Sequence, residues 1–312
     1  MSGSGAGLTT GRRLRAVSRQ PLRLAVQEAT RILTEAGVTS PGVDAEVLAA
    51  YVLGVERGRL PMVPLVDPPV VEALRKLVKQ RARRVPLQHL TGSVALGGVE
   101  VAVGPGVFVP RPETELLLEW GLALLDGVDA PLVVDLCTGT GVLALAVAHA
   151  RPDAEVHAVE ADPAALSWAR RNADTRAGEG DTAVRLHSGD VAAPGLLSVL
   201  DGTAHLVLSN PPYVPAGTSV APEVADHDPP CAVFAGSDGL AVIPAVVRLG
   251  TRLLREGGGI AIEHDDTHAE AVPALLAARR VLTTVTAHTD LAGRPRFATA
   301  LRRTALRCTA GG

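Results

Sequence analysis

Asn210-Pro211-Pro212-Tyr213 closes the apolar run His205–Ser209, and its residue types could grip a planar amino group. The asparagine offers a side-chain carbonyl oxygen and Pro211 a backbone carbonyl. The two prolines hold the chain extended and contribute no N–H. Two acceptors held on one side of a pocket match the two hydrogens of a planar –NH2. The nitrogen of an amide or aryl amine has its lone pair delocalised, so gripping both hydrogens as they become more acidic favours the transition state over the ground state. Tyr213 can stack on the planar group. A Pro-Pro turn that merely ends a strand is the other reading.

A second set of residues precedes this one. In "VVDLCTGTGVLALA", Gly139-x-Gly141-x-x-Ala144 stands where a strand turns into a helix. Backbone amides and the positive helix end can there face an anionic group. Glu160 ends the next strand-like run, about 20 residues on, where an acid can accept hydrogen bonds from both ribose hydroxyls. These features suit NAD and S-adenosylmethionine equally. Asp135, at the tip of the first strand, separates the two. It would repel the pyrophosphate of NAD, whereas S-adenosylmethionine presents an ammonium and a sulfonium that a carboxylate stabilises. Asp190, in "HSGD", can accept from an adenine amino group or cap a helix. A methyl donor is therefore favoured.

Such groups need elements to position them. From residue 111 on, strand-like and helix-like segments alternate: "PLVVDL", "GVLALAVAHA", "AEVHAVE", "PAALSWARRNA", "AVRLHS", "HLVLS". That order predicts an α/β fold, a mostly parallel sheet with helices on both faces, and ligands at the carboxyl ends of its strands. Further on come a helix over 239–255, a strand "GGIAIEH", a helix near 268–278 and strands over 281–288 and 296–303. Residues 91–110 alternate around Gly97-Gly98 and predict a hairpin linking two domains. Residues 21–90 show apolar spacings of three and four with no strand pattern, which predicts a helical domain. Its last long helix is expected to start at Asp67 as N-cap, with Pro68 in the first turn. Lys79, Arg81, Arg83 and Arg84 cluster at that helix's end. They either complement the helix dipole on a solvated face or form a patch for an RNA or acidic protein partner. Residues 1–20 read as a disordered tail, leaving 111–312 as the α/β domain.

Composition limits the function classes. The 312 residues are 47% hydrophobic and 20% charged, with net charge −3, enough for a sizeable core and without bulk attraction to nucleic acid or membrane. No apolar run reaches the roughly 20 residues of a membrane helix. Cys137, Cys231 and Cys308 are odd in number, far apart and in no CxxC pair, which favours a reducing cytoplasm and disfavours a zinc site. The histidines show no ligand spacing, so no metal is expected.

"PLQHLTG", "FVPRPETELLLEW", "DLCTGTGVLALA", "NPPY" and "DHDPPCAVFAGSDGL", in this order, closely resemble the PrmC/HemK family, the protein-(glutamine) methyltransferases of peptide release factors. The resemblance spans residues 21–303. It implies a class I, Rossmann-like methyltransferase domain behind a small helical docking domain. It also implies S-adenosylmethionine as donor, and as acceptor the glutamine in the Gly-Gly-Gln motif of class I release factors. By position, Thr138, Gly139, Thr140, Gly141 and Glu160 look like cofactor contacts, with Cys137 and Val191 in the same site. Asn210 looks like a contact to both donor and acceptor, and Pro211, Pro212 and Tyr213 like the shapers of the glutamine pocket. Phe108, Arg111 and Glu113 look like pocket walls. Three positions depart from the pattern: Cys137 replaces a common glycine, Glu160 stands where many relatives have aspartate, and Val191 where some carry an aromatic. The same pocket chemistry would suit an exocyclic amine of adenine or guanine in nucleic acid. A module that binds S-adenosylmethionine without turnover would have no use for the acceptor pocket.

Overall fold

Apolar side chains three and four residues apart build the first helices of the chain. In the computed structural model, which describes residues 19–304, α1 (Leu22–Glu35) buries Leu22, Ala25, Ala29 and Leu33, a single stripe. With α2 (Pro41–Leu53) and α3 (Pro68–Ala82) it encloses a core that includes Leu48, Val71, Leu74 and Val78. A short α4 (Leu87–Thr91) follows, and the chain divides into two units between Thr91 and Gly92. The tail expected over 1–20 lies, up to residue 18, outside the described residues.

Two expectations for this first unit are corrected, the absence of strands and the undivided basic cluster, and the start of α3 is refined. Gln20–Pro21 (β1) pairs antiparallel with Leu65–Val66 (β2), and two residues per strand are too few to leave a period in the sequence. Asp67 stands at the N-cap of α3 and Pro68 in its first turn, as expected, but the Asp67 side chain makes no cap hydrogen bond; its carboxylate accepts from Arg19 Nε at 2.8 Å. Pro68 leaves the first turn one N–H fewer to satisfy. The basic cluster is also divided. Arg81 is buried and paired with Asp44 at 2.7 Å, while Arg84 Nη1 donates to the Gly37 carbonyl at 2.6 Å. Lys79 and Arg83 remain exposed.

The second unit opens with the hairpin β3 (Ser93–Leu96) and β4 (Val99–Ala102), Leu96 facing Val99. Gly97 and Gly98 take φ of +57° and +80°, the two left-handed positions of a type I′ turn. A Cβ on Gly97 would stand 2.2 Å from Leu118 Cδ2, so backbone conformation and packing both require glycine there.

Seven strands then form one sheet: β5 (Leu132–Leu136), β6 (Glu155–Glu160), β7 (Arg185–Ser188), β8 (Ala204–Ser209), β9 (Leu254–Glu263), β10 (Leu282–Thr289) and β11 (Pro295–Arg302), in the spatial order β10-β11-β9-β8-β5-β6-β7. The pairs from β9 to β7 are parallel; β11 pairs antiparallel with both β9 and β10. Alternate residues face opposite sides. Val133, Leu206 and Leu208 point into a core with α5 (Thr114–Leu124) and α6 (Val142–Ala150). Val134, Val207 and Ile260 point into one with α10 (Ile243–Leu253) and α11 (Ala271–Ala277). Because both faces are covered, these strands read as continuous apolar runs. The helix α7 (Pro163–Gly178) is capped by Asp162, whose carboxylate accepts from Ala164 N at 2.9 Å.

The long helix near 239–255 is shorter than expected, and two helices not anticipated, α8 (Pro222–His227) and α9 (Pro230–Val233), lie between β8 and α10. Six and four residues are too few to show a 3.6-residue period. No helix among the described residues is long and apolar enough to cross a membrane.

Candidate active site

The parallel strands β5, β6, β7 and β8 end on one edge of the sheet, and β9 brings Glu263 to the same edge. Beyond those ends lies a cavity of about 630 Å³, within the usual range for small-molecule sites. Its wall includes Phe108, Arg111, Cys137, Thr138, Gly139, Thr140, Glu160, Asp190, Val191 and the whole of Asn210-Pro211-Pro212-Tyr213. One cavity therefore unites the Gly-rich turn with the Pro-Pro motif.

Glu160 is fixed before any ligand arrives. Its Oε2 accepts from Gly139 N at 2.8 Å, and its Oε1 from Ala161 N and Asp162 N at 2.9 Å each. The carboxylate joins the loop after β5 to the loop after β6. Gly141, at φ +84°, donates its N–H to the Thr138 carbonyl, and Thr138 N donates to Val159 O. The amides of Thr138, Gly139 and Gly141 are thus committed within the protein, contrary to the expectation that they face an anion. The first-turn amides of α6 have no partner inside the helix. Thr140 Oγ1, buried at the cavity wall, also makes no hydrogen bond among the described residues. Asp190 Oδ1 accepts from Ala192 N at 2.8 Å, so it caps its turn while lining the cavity.

Three predicted residues do not reach the cavity wall. Gly141 closes the turn behind it. Glu113 is exposed at the start of α5, and the adjacent Thr114 is the one buried against the cavity. Asp135 is 1% exposed, beneath the loop, where it accepts the Thr138 hydroxyl. Burial pushes its carboxyl up to about 7, which suits a scaffold group poorly placed to hold a cation. Cys137 stands at φ +63°, a left-handed conformation that favours glycine, the residue the family resemblance leads one to expect. Burial, with Glu160 and Asp135 nearby, raises its thiol above the ordinary range, so it is not a ready nucleophile.

The acceptor side is held by residues that sequence reasoning missed. Arg111 donates to Asp228 Oδ2 at 2.6 Å and lies over the Phe108 ring, 5.0 Å from its centroid. Asp228 comes from the "DHDPP" segment between α8 and α9, which brings a distant loop against the wall. Asn210 Nδ2 donates to Thr114 Oγ1 at 3.1 Å; Thr114 Oγ1 and the Tyr213 hydroxyl donate to the two oxygens of Glu263 at 2.8 and 2.9 Å. Burial raises the Glu263 carboxyl, and burial with Glu263 close by raises the Tyr213 phenol well above its ordinary range. An acid ending an apolar strand at this edge is the same signal that marked Glu160, and it could have marked Glu263. No group of three or more His, Cys, Asp or Glu suited to a metal occurs among the described residues.

The PrmC N-terminal domain family matches residues 25–92 and the methyltransferase small domain family matches residues 103–227. The chain is 54% identical over 281 residues to the release factor glutamine methyltransferase of Mycolicibacterium smegmatis, covering 90% of this chain and 98% of that protein. With the enzyme of the same name from Mycobacterium tuberculosis it shares 50% over 289 residues, 90% and 91% of the two chains. A solved protein-(glutamine-N5) methyltransferase, release factor-specific, from Alicyclobacillus acidocaldarius is 26% identical with TM-score 0.38, covering 65% of this chain and 99% of that one.

Proposed function

Because the chain belongs to the release factor glutamine methyltransferase family, we propose that it methylates the side-chain amide nitrogen of the glutamine in the Gly-Gly-Gln motif of class I peptide chain release factors, with S-adenosylmethionine as donor. The observation that carries this reading is a single cavity holding both Glu160 and Asn210-Pro211-Pro212-Tyr213.

The residues present fit the donor. Glu160 would hold the ribose hydroxyls, the Thr140 hydroxyl and the first-turn amides of α6 the carboxylate, and Val191 and Asp190 the adenine. Bound there, S-adenosylmethionine supplies an electrophilic methyl carbon. The remaining chemistry belongs to this chain. Asn210 Oδ1 and the Pro211 carbonyl accept the two amide hydrogens of the glutamine and point its nitrogen at the donor side. Pro212 keeps that stretch of backbone extended, while Tyr213, Phe108 and the Arg111–Asp228 pair bound the pocket. The acceptors are in place before the reaction, so little reorganisation is needed as positive charge develops on nitrogen.

The test is methyl transfer from labelled S-adenosylmethionine to release factor, its Gln→Ala variant, RNA and DNA. Label is expected on release factor alone; label on nucleic acid would overturn the reading. We also infer that the helical unit docks the release factor. A fragment of residues 92–312 that still binds donor should then label whole release factor far more slowly, and equal rates would refute docking.

Glu160→Ala is expected to weaken donor binding by about tenfold or more, since each charge-assisted hydrogen bond is worth roughly 1.5–3 kcal/mol. Glu160→Gln should lose affinity too, because its amide would turn a donor toward Gly139 N or the Ala161 and Asp162 amides. Calorimetry giving unchanged affinity for both folded variants would remove Glu160 from the site.

A further inference from the structure

Thr114 is 2% exposed and Glu263 1%, and neither belongs to the Gly-rich turn or the Pro-Pro motif. Between them they fix which atom donates and which accepts beside the Asn210 side chain, with Arg296 facing the same carboxylate and the Tyr213 hydroxyl. In its ionised form, which Arg296 and the Thr114 and Tyr213 hydroxyls favour against burial, Glu263 is acceptor-only, and a threonine carries one hydroxyl hydrogen. That hydrogen goes to Glu263 Oε2, and the tyrosine hydrogen to Oε1. The Thr114 oxygen is then left as an acceptor, so the Asn210 atom 3.1 Å away must be the –NH2. The other half of the amide, Oδ1, is left for the cavity.

We propose that Glu263 is a positioning residue which, through Thr114, sets which end of the Asn210 amide faces the substrate. The inference rests on the reading of Asn210 as an acceptor for the glutamine –NH2. Without the carboxylate the two ends of an asparagine amide have nearly the same shape, and the packing alone would not choose between them. A reversed amide would present hydrogens to the substrate hydrogens, so the error would fall on the acceptor side and leave the donor site intact. Tyr213 is tied to the same carboxylate, which couples the two ends of the Asn-Pro-Pro-Tyr segment to one group on β9.

Glu263→Gln is expected to turn its –NH2 toward Thr114, because the buried Tyr213 hydroxyl, which also faces Arg296, has Glu263 as its acceptor and would otherwise be left with an unmatched hydrogen. The Thr114 hydroxyl must then accept from it and donate to the asparagine, which turns that amide around. The expected result is a kcat lower by on the order of 10², with donor affinity within about threefold of wild type. Thr114→Ser, which keeps the hydroxyl, should stay within about threefold.

Asn210→Asp sharpens the test. In the wild-type background the introduced carboxylate and that of Glu263 would share one Thr114 hydrogen, and kcat should fall. In the Glu263→Gln background the introduced carboxylate can accept from Thr114 with one oxygen and face the cavity with the other, so the same change should raise kcat by about tenfold, a coupling of ordinary size for residues in one network. A fall by the same factor in both backgrounds would overturn the proposal. An activity-independent measurement separates it from the functional reading: NOEs between Asn210 side-chain –NH2 protons and Thr114 side-chain protons, in protein labelled with 15N at asparagine. They should be present in wild type and lost in Glu263→Gln. Their persistence in the variant would defeat the proposal even if the enzyme proved to act on another substrate, while failure to label release factor with the NOE pattern intact would count against the substrate alone.

Discussion

Asn210→Ala should lower kcat for release factor by about 10²–10³, or roughly 2.7–4 kcal/mol of transition-state stabilisation, the usual cost of losing one preorganised acceptor or donor at a reacting centre. Most donor contacts come from Glu160, Thr140 and α6, so donor affinity should change much less. The variant also leaves Thr114 Oγ1 without the hydrogen it received from Nδ2, which adds a modest local cost to stability. Asn210→Asp should fall between wild type and alanine, since it keeps an acceptor of similar shape but adds a charge that costs free energy to desolvate. Single-turnover methylation with saturating donor is the measurement. A rate for the alanine variant within about threefold of wild type would mean that the motif ends its strand for structural reasons only.

Asp135→Asn should change how stability depends on pH. A carboxyl raised in the folded state to about 7, from 3.8, binds its proton more tightly when folded than when unfolded. Its contribution to stability is therefore full at low pH and is lost as pH rises from about 4 through about 7. Roughly three pKa units correspond to about 4 kcal/mol between those limits. Asparagine carries no such penalty and can still accept from Thr138. Relative to wild type, the variant should gain about 2.7 kcal/mol between pH 5 and pH 8.5, the roughly two units of that range that fall in this window. Trp120 and Trp168, the protein's two tryptophans, both lie in the second unit, so urea unfolding followed by their fluorescence reports on this unit. Parallel stability curves for the two proteins would show that Asp135 does not titrate in this range.

Much of the second unit was legible because covered parallel strands and buried helices leave unbroken apolar runs. The hairpin was legible because a Gly-Gly pair between two alternating runs suits both left-handed positions of its turn. Glu160 and Asn210 stood out as polar residues ending apolar strands. Glu263 gives the same signal and was passed over because no motif surrounds it. Thr114 and Asp228 lie in segments that carry the family resemblance, but nothing local in either segment says which residue turns toward the site. Their places depend on where α5 meets β9 and on a loop folding back 117 residues along the chain to Arg111. Asp135 was misassigned because position at a strand tip does not reveal whether a side chain points into a cavity or beneath a loop. Arg81 was misassigned because a run of cations hides which member turns inward to meet an aspartate 37 residues away.

The strand order bears on synthesis. β11, the last strand among the described residues, lies inside the sheet between β9 and β10. Until residue 302 has left the ribosome, β9, which carries Glu263, has an open edge toward that side, and β10 lacks the one strand it pairs with. The earlier strands can pair as they emerge, but this antiparallel closure waits for β11, which joins β10 directly before it and β9 one strand earlier. A chain stopped before Pro295 would expose a long apolar edge beside the site's anchoring acid. Glu263 thus gains its second neighbouring strand only after β10 and β11 have both been made.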